Sequence, residues 1–372
     1  MKLEATNKKF TIGVLVSRID YGAAELLETK LAIELSNLGH RIILIPQYTS
    51  TRFNDKIIEN EISKNLKIYR LCFDKPFIFI KKLIRIRSLR MDAIISHNRG
   101  GHILASLICL GNNTKDLKAL HEYYHKSQIN SILNKLWKIS LNNADYTYHI
   151  TNFVLNKNRE TFGLKEKKSK LVSNSVDFEQ ITEFNLNTNI LNNKQFILTV
   201  ARIVPNKGYH NNLDIVIPLL KDRDDLLYVY VGDDSIDPQL HENIKARIKQ
   251  EAIEHKVFYL GQINNVLGLM KRAKVLLHFA NHEGFGLILL EALRAQIPII
   301  TSNVGGIPDV LKKTEFKPFD LTDIKGAREL CCHYLNNQKT DNFKYNYNNF
   351  LNSFTHKKRA KKIEKIIKIC VE

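Results

Sequence analysis

Nowhere along its 372 residues does this chain hold eighteen consecutive apolar residues, which excludes an ordinary membrane-spanning helix. The opening Met1-Lys2-Leu3-Glu4-Ala5-Thr6 carries no hydrophobic stretch of the kind that leads a secreted protein, so the expected location is the cytoplasm. Cysteine is scarce and scattered. Cys72, Cys109, Cys331, Cys332 and Cys370 are odd in number, none forms a Cys-x-x-Cys pair and none lies among clustered histidines. Neither a disulfide framework nor a zinc site is therefore expected. Acid is short relative to base: 38 Asp and Glu stand against 56 Lys and Arg, a formal charge of +18. Such an excess predicts an anionic partner, whether nucleic acid, an anionic membrane surface or a phosphorylated substrate. No RRM, KH or zinc-finger pattern is present, so no specific nucleic-acid module is expected.

What the chain does have is apolar sequence enough for two cores. Apolar residues make up 44% of it, and its length suits two α/β domains better than one. Thr11 to Ser17 reads as a buried strand. Gly22-Ala23-Ala24-Glu25 then opens a helix carrying Leu26, Leu27, Leu31, Ala32 and Leu35, Gly39 caps it, and Arg41 to Pro46 is the next strand. Further strand candidates at Leu66 to Cys72, Asp92 to Ser96, Leu117 to Leu120 and Tyr146 to Ile150 make the first half a doubly wound sheet. A second series runs through Gln195 to Ala201, Leu226 to Val231, Lys256 to Leu260, Lys274 to Phe279 and Ile297 to Thr301. Asp177 to Lys194, rich in Asn and Thr, reads as the hinge between them. The expected division is 1–180, a hinge at 181–194, 195–353, and a terminal helix at 354–372. Two such sheets facing each other would set the carboxyl ends of their strands on a common cleft, where folds of this kind bind ligands.

Chemistry-bearing residues cluster after these strands. The run Lys274 to Phe279 leads into Glu283-Gly284-Phe285-Gly286, after which Leu287, Leu290, Ala292 and Leu293 recur near helical spacing: strand, Gly-rich turn, helix. A helix start offers unpaired N–H groups and partial positive charge, and glycines admit a ligand close to the backbone. Glu283 in the turn and Glu291 two turns into the helix would accept hydrogen bonds from hydroxyls, with which sugars and riboses are rich. Either glutamate alone reads as readily as a solvated or capping carboxylate. Arg202 and Lys207 follow the first strand of the second half, and Val231-Gly232-Asp233-Asp234 reads either as an Asx turn or as a metal-binding pair. In the first half His97 and His121 end short apolar runs. Lys75 to Arg90 interleaves Phe77, Ile78, Phe79, Ile80, Leu83, Ile84 and Ile86 with Lys81, Lys82, Arg85, Arg87 and Arg90. That segment fits peripheral contact with an anionic membrane, on the inner face of the cytoplasmic membrane, as well as a half-buried helix with a basic face. The run Lys357-Lys358-Arg359-Ala360-Lys361-Lys362 reads as a solvated face.

The ordered motifs from Ala273 to Leu311 closely resemble the donor-binding signature of the family-four retaining glycosyltransferases, the group 1 glycosyl transferases, whose architecture is GT-B: two doubly wound Rossmann-like domains facing a central cleft. The resemblance runs from Thr11 to about Ile369 and is dense from Phe196 to Leu311. It implies a metal-independent retaining enzyme with no cofactor beyond its co-substrate. That enzyme would move a sugar from a UDP-, GDP- or ADP-linked donor to a glycan or glycolipid hydroxyl, in surface polysaccharide or lipopolysaccharide synthesis. It assigns Glu283 and the backbone of Gly284, Phe285, Gly286 and Leu287 to the donor sugar, Glu291 to the ribose, and Gly22 to the first loop facing the donor phosphate. Arg202 and Lys207 fall to the leaving diphosphate, whose developing charge they would stabilise. His121 falls to the transfer centre, where it would bond a sugar hydroxyl or handle the acceptor proton. Phe354-Thr355-His356 resembles the start of the family's last helix, which crosses back onto the N-terminal domain. This chain departs from the pattern at Gln296, where the family has a helix-ending glycine, so the helix is expected to end without the usual left-handed glycine cap. Asp309 replaces a Glu, Ser175 replaces a glycine in Asn174-Ser175-Val176-Asp177, and Gly22 stands alone where paired glycines are usual. Two rival readings are a sugar-nucleotide epimerase on the same double fold and a non-catalytic basic protein that binds membrane or nucleic acid.

Overall fold

The computed structural model describes residues 8–18, 23–48, 65–73, 75–125, 131–176, 194–263, 265–337 and 347–372. The chain divides into two compact units, Met1–Ser175 together with Phe354–Glu372, and Val176–Ser353. Gly22, the hinge positions 181–193 and Phe343 lie outside the described residues.

In the first unit β1 (Thr11–Val16), β2 (Arg41–Pro46), β3 (Leu66–Ile68), β4 (Ala93–Ser96), β5 (Lys115–Leu120), β6 (Tyr146–His149) and β7 (Ser169–Leu171) form one parallel sheet, in the order β3-β2-β1-β4-β5-β6-β7. Strand side chains alternate between faces, and both faces are covered, so the strands read as unbroken apolar runs. Ile12, Val14, Val16, Ile42 and Leu44 share a core with Leu31, Ala32 and Leu35 of helix α1 (Ala23–Asn37) and with Ile363, Ile366 and Ile367 from the end of the chain. Leu15, Ile43, Ile45 and Ile94 pack instead with Ile86 of α2 (Pro76–Ser88) and Leu104, Ala105 and Ile108 of α3 (Arg99–Cys109). Trp137 and Leu141 of α4 (Ile132–Asn143) and Phe162 of α5 (Asn152–Phe162) close over Leu120. Helix α2 buries only Ile86 fully; Phe77, Ile78, Ile80 and Ile84 are exposed.

Two sequence expectations change here. β3 proper covers only Leu66–Ile68, although the Tyr69 and Leu71 N–H groups go on donating to the Leu44 and Pro46 carbonyls at 2.8 and 2.9 Å, and Cys72 at a left-handed φ of 59° turns the chain. β7 was not anticipated: its three residues, one buried, carry no period to read.

The second unit holds β8 (Gln195–Val200), β9 (Leu226–Val231), β10 (Val257–Tyr259), β11 (Val275–His278) and β12 (Ile299–Thr301), parallel in the order β10-β9-β8-β11-β12. The helices are α6 (Tyr209–Asp222), α7 (Pro238–Gln250), α8 (Val266–Arg272), α9 (Leu287–Ala295), α10 (Ile307–Leu311), α11 (Ile324–Asn336) and α12 (Asn348–Leu351). Leu213, Val216 and Leu220 of α6, Ile244 and Ile248 of α7, and Ala327, Cys331 and Leu335 of α11 bury one face of this sheet. β12 starts two residues later than its apolar run, since Pro298 has no N–H to give the ladder and only accepts, from Leu276, at 2.9 Å. The helix before it ends without a glycine, and Gln296 itself takes the left-handed conformation, at φ 53°, ψ 51°.

The last helix, α13 (His356–Val371), starts at Thr355, whose hydroxyl accepts from Lys358 N–H at 3.4 Å, and belongs to the first unit, against α1. Lys357, Lys358, Lys361 and Lys362 are exposed, as a solvated face requires, but Arg359 in their midst is buried. Among the described residues no helix is long and apolar enough to cross a membrane.

Candidate functional site

In the second sheet β8 continues to β9 and β10 on one side, while β11 and β12 lie on the other, so the strand order reverses between β8 and β11. Ligands of doubly wound sheets bind at such a switch point, outside the carboxyl ends of the strands. Two loops meet there. The one after β8 makes a short 3-10 turn, Pro205–Lys207, and leaves it through Gly208 at φ 66°. A Cβ on Gly208 would stand 2.0 Å from the Phe279 carbonyl oxygen, so only glycine lets this loop lie against the end of β11. Backbone bonds from Asn281 and His282 to the Asn206 carbonyl, at 2.9 and 3.2 Å, fasten the two loops together.

That fastening brings Lys207 onto Glu283, with Nζ 2.8 Å from Oε2. His278, the last residue of β11, places Nε2 3.2 Å from the same oxygen, and the Phe285 N–H donates to Oε1 at 3.4 Å. Burial alone would push the Glu283 carboxyl up; the His278 hydrogen bond and the Lys207 charge override it and hold the group well below the usual carboxylate range. Gly284, Phe285 and Gly286 are buried, Leu287 is half-buried, and Gly286 at φ 81° turns the chain into α9. Glu291, further along α9, has no side-chain hydrogen bond or ion pair among the described residues, and burial pushes its carboxyl up to about 7. Arg202 is exposed and likewise has no side-chain partner among them. A free cation and a half-buried acid–base pair thus meet at the switch point, and the helix leaving it carries a half-buried acid without a partner among the described residues.

Sequence reasoning named Arg202, Lys207, Glu283 and Glu291 but not His278, which ends an apolar strand and offers no periodic signal. Asp233 makes an Asx turn, accepting from Ser235 N–H at 2.9 Å, and Asp234 pairs with His241 Nδ1 at 2.8 Å, which explains both without a metal ligand role. Among the described residues no group of three or more His, Cys, Asp or Glu is placed to hold a metal ion.

The first sheet reverses between β1 and β4, and α1 stands over that end with two acids one turn apart. Glu25 Oε1 lies 3.6 Å from His97 Nε2, and Glu28 Oε1 lies 3.0 Å from His121 Nε2. The other His121 nitrogen, Nδ1, is 3.2 Å from Asn174 Oδ1, so both ring nitrogens of His121 have protein partners. Glu28 also accepts from the Tyr148 hydroxyl at 3.2 Å and pairs with the Arg359 guanidinium. Its burial would raise the carboxyl; Arg359, then His121, hold it far below the usual range. Ser175 Oγ meets His356 Nδ1 at 2.8 Å, a second tie to α13 at the position where the glycine was replaced. Glu28 and Arg359 were not singled out from sequence, since each sits in a helix among ordinary charged neighbours.

Two parallel α/β units with their functional side chains at the strand ends have the fold of the GT-B glycosyltransferases. A glycosyltransferase from Rickettsia africae superposes with a TM-score of 0.77 at 19% identity, over 98% of this chain and 99% of that one. HepE from Anabaena, in a complex with UDP-glucose, gives 0.76 at 15% identity over 96% and 99%. Residues 29–180 match the family model described as Glycosyltransferase Family 4 and residues 181–342 the one described as Glycosyl transferases group 1; this chain belongs to that family of glycosyltransferases. Among curated relatives, a Campylobacter jejuni N-acetylgalactosamine-N,N'-diacetylbacillosaminyl-diphospho-undecaprenol 4-alpha-N-acetylgalactosaminyltransferase is 26% identical over 82% of this chain and 84% of its own length. The GPI3 subunit of the phosphatidylinositol N-acetylglucosaminyltransferase of Saccharomyces cerevisiae is 26% identical over 78% of this chain, which spans about two thirds (67%) of that relative.

Proposed function

We propose that this glycosyltransferase moves a sugar, with retention and without a metal ion, from a nucleotide diphosphate donor to a glycan or glycolipid hydroxyl in surface polysaccharide or lipopolysaccharide synthesis. The observation that carries the reading is the joining, at the β8–β11 switch point, of a loop bearing Arg202 and Lys207 to a loop bearing Glu283. Charge gathers on the diphosphate as the sugar bond breaks, and a guanidinium and an ammonium beside it stabilise the departure. Glu283 and the backbone from Gly284 to Leu287 take the donor sugar, and Glu291 takes the ribose. No covalent nucleophile is assigned; the leaving phosphate assists attack on the face it vacates. The first unit is assigned to the acceptor, with His121 serving through its ring edge and through the backbone it fixes, because both its nitrogens are engaged. The named relatives act on N-acetylhexosamines, one of them on a diphospho-undecaprenol acceptor, and the HepE complex holds UDP-glucose, so a UDP-linked N-acetylhexosamine is the first donor to try.

A lipid-linked acceptor calls for a protein that works at a membrane surface, on the inner face of the cytoplasmic membrane. Helix α2 exposes Phe77, 86% accessible, with Ile80 and Ile84 beside Lys81 and Arg85; α4 exposes Ile132, 79% accessible, with Leu133, Leu136 and Ile139 beside Lys135 and Lys138. Apolar and basic side chains on one helix face suit an anionic lipid surface.

A thermal-shift screen with UDP, GDP and ADP, followed by transfer assays on the stabilising donor, tests the reading. Arg202→Ala, Lys207→Ala and Glu291→Ala are each expected to lower transfer at least about tenfold, ~1.4 kcal/mol of barrier. Wild-type rates in all three would sink the site assignment, and donor turnover without any acceptor would favour the epimerase.

A further inference from the structure

Glu283 is held on one oxygen by two partners of opposite character. Lys207 is the end of a long flexible stem on a loop, 17% accessible; His278 is 2% accessible and anchored as the last residue of β11, where its carbonyl accepts the Thr301 hydroxyl at 2.8 Å from the neighbouring strand. One partner can leave and the other cannot. Among the described residues the His278 ring also has a single protein partner: Nδ1 is buried without one. A proton on Nδ1 would orphan an N–H and set the Nε2 lone pair against the carboxylate, so the ring donates from Nε2 to Glu283.

The proposed function sends Lys207 to the diphosphate of the donor. Lys207 already pairs with Glu283 at 2.8 Å, however, so donor binding has to pull it away. A buried carboxylate stripped of its partner is strongly unfavourable, unless a second fixed donor remains. We propose that His278 is the positioning residue of the donor site: it keeps Glu283 in place while Lys207 is handed from that carboxylate to the incoming diphosphate. Glu283 is then both the latch that stores Lys207 when the site is empty and the sugar ligand once it is full. This rests on the assignment of Lys207 to the diphosphate.

The exchange makes a prediction that a merely structural histidine does not. The probe is whichever of UDP, GDP and ADP wild-type protein binds best, measured by calorimetric titration. Glu283→Gln, which releases Lys207, should tighten the nucleotide at least about threefold, and His278→Phe, which leaves the carboxylate only the long 3.4 Å bond from the Phe285 N–H to its other oxygen, should weaken it at least about tenfold. His278→Gln, whose amide reaches to the Nε2 position, should recover most of the loss. The double variant His278→Phe/Glu283→Gln should bind like Glu283→Gln alone, because no charge is left to strand. Equal weakening by His278→Phe in both backgrounds would mean that the histidine only packs, and would overturn the proposal. So would a Glu283→Gln protein that binds no tighter than wild type, a result available even if His278→Phe fails to fold. If Lys207→Ala loses binding while the His278 variants do not, the donor assignment survives and this inference fails; if wild-type protein binds none of the three nucleotides, both fall.

Discussion

At the scale of single residues, the site spends stability where a ligand is expected. Glu291 has a carboxyl pushed up to about 7 by burial, against an ordinary 4.5. A group raised in the folded state leaves stability intact below 4.5 and costs progressively more as pH climbs through 7. Glu291→Gln removes that cost: its unfolding free energy in denaturant titration should exceed the wild type's at pH 8 by on the order of 2 kcal/mol once partial solvent access is discounted, and the gain should vanish as pH falls below 4.5. A gain of equal size at both pH values would show that ionisation is not the cause. Gln296 is a second such residue, a side chain held left-handed at an exposed helix end where glycine suffers no clash. Gln296→Gly should stabilise the unit by about 0.5–1 kcal/mol in denaturant titration, the relief of strain being partly offset by added freedom in the unfolded chain. Sequence showed the missing glycine but not that the backbone keeps the glycine conformation, because the left-handed turn is fixed by helix-ending backbone bonds, Gln296 N–H to Leu293 O at 3.3 Å and Ile297 N–H to Ala292 O at 3.1 Å, which any residue type can make.

Among secondary-structure elements, legibility followed length and period. The buried parallel strands were plain from sequence because six-residue apolar runs such as Arg41–Pro46 and Leu226–Val231 can be little else, and their carboxyl ends located Arg202, Lys207, Glu283 and His121. Three-residue strands such as Ser169–Leu171 are made by their neighbours' hydrogen bonds and cannot be read. Glu28 and Arg359 escaped for a related reason: what distinguishes them is a partner distant in sequence. His278 has its partner only five residues on, but as the end of an apolar strand it looks like one more strand residue. Lys75 to Arg90 was ambiguous between a membrane segment and a half-buried helix, and α2 has features of both, burying Ile86 while exposing Phe77 and Ile84. Phe77→Asp together with Ile132→Asp should abolish sedimentation with phosphatidylglycerol vesicles while leaving the unfolding free energy within about 0.5 kcal/mol of wild type, as exposed substitutions do. Raising salt to about 0.5 M should weaken but not abolish wild-type sedimentation, since screening removes the basic contribution and spares the apolar one. Unchanged sedimentation of the double variant would rule these helices out as the contact.

At the scale of the whole molecule, the first unit is finished by the last helix. Arg359 from α13 is the counter-charge of the fully buried Glu28 of α1, 331 residues away in sequence, and that carboxylate in turn faces His121. Arg359→Met should therefore cost about 3–5 kcal/mol in the unfolding of the first unit, because it strands a buried charge, and adding Glu28→Leu should recover much of it. An additive loss in the double variant would contradict a pair. Because a depressed carboxyl contributes stability above 4.5 and loses it as pH falls, acid should unfold wild type before the double variant. The same closure sets an order on biosynthesis. A ribosome releases the N-terminal sheet first, yet Ile363, Ile366 and Ile367 that cover it emerge only after the entire second unit. The second unit, contiguous in sequence, can collapse during translation, whereas the first waits with an apolar flank open until the final turns arrive. Whatever holds that waiting surface against aggregation acts on a protein whose beginning is the last part to be completed.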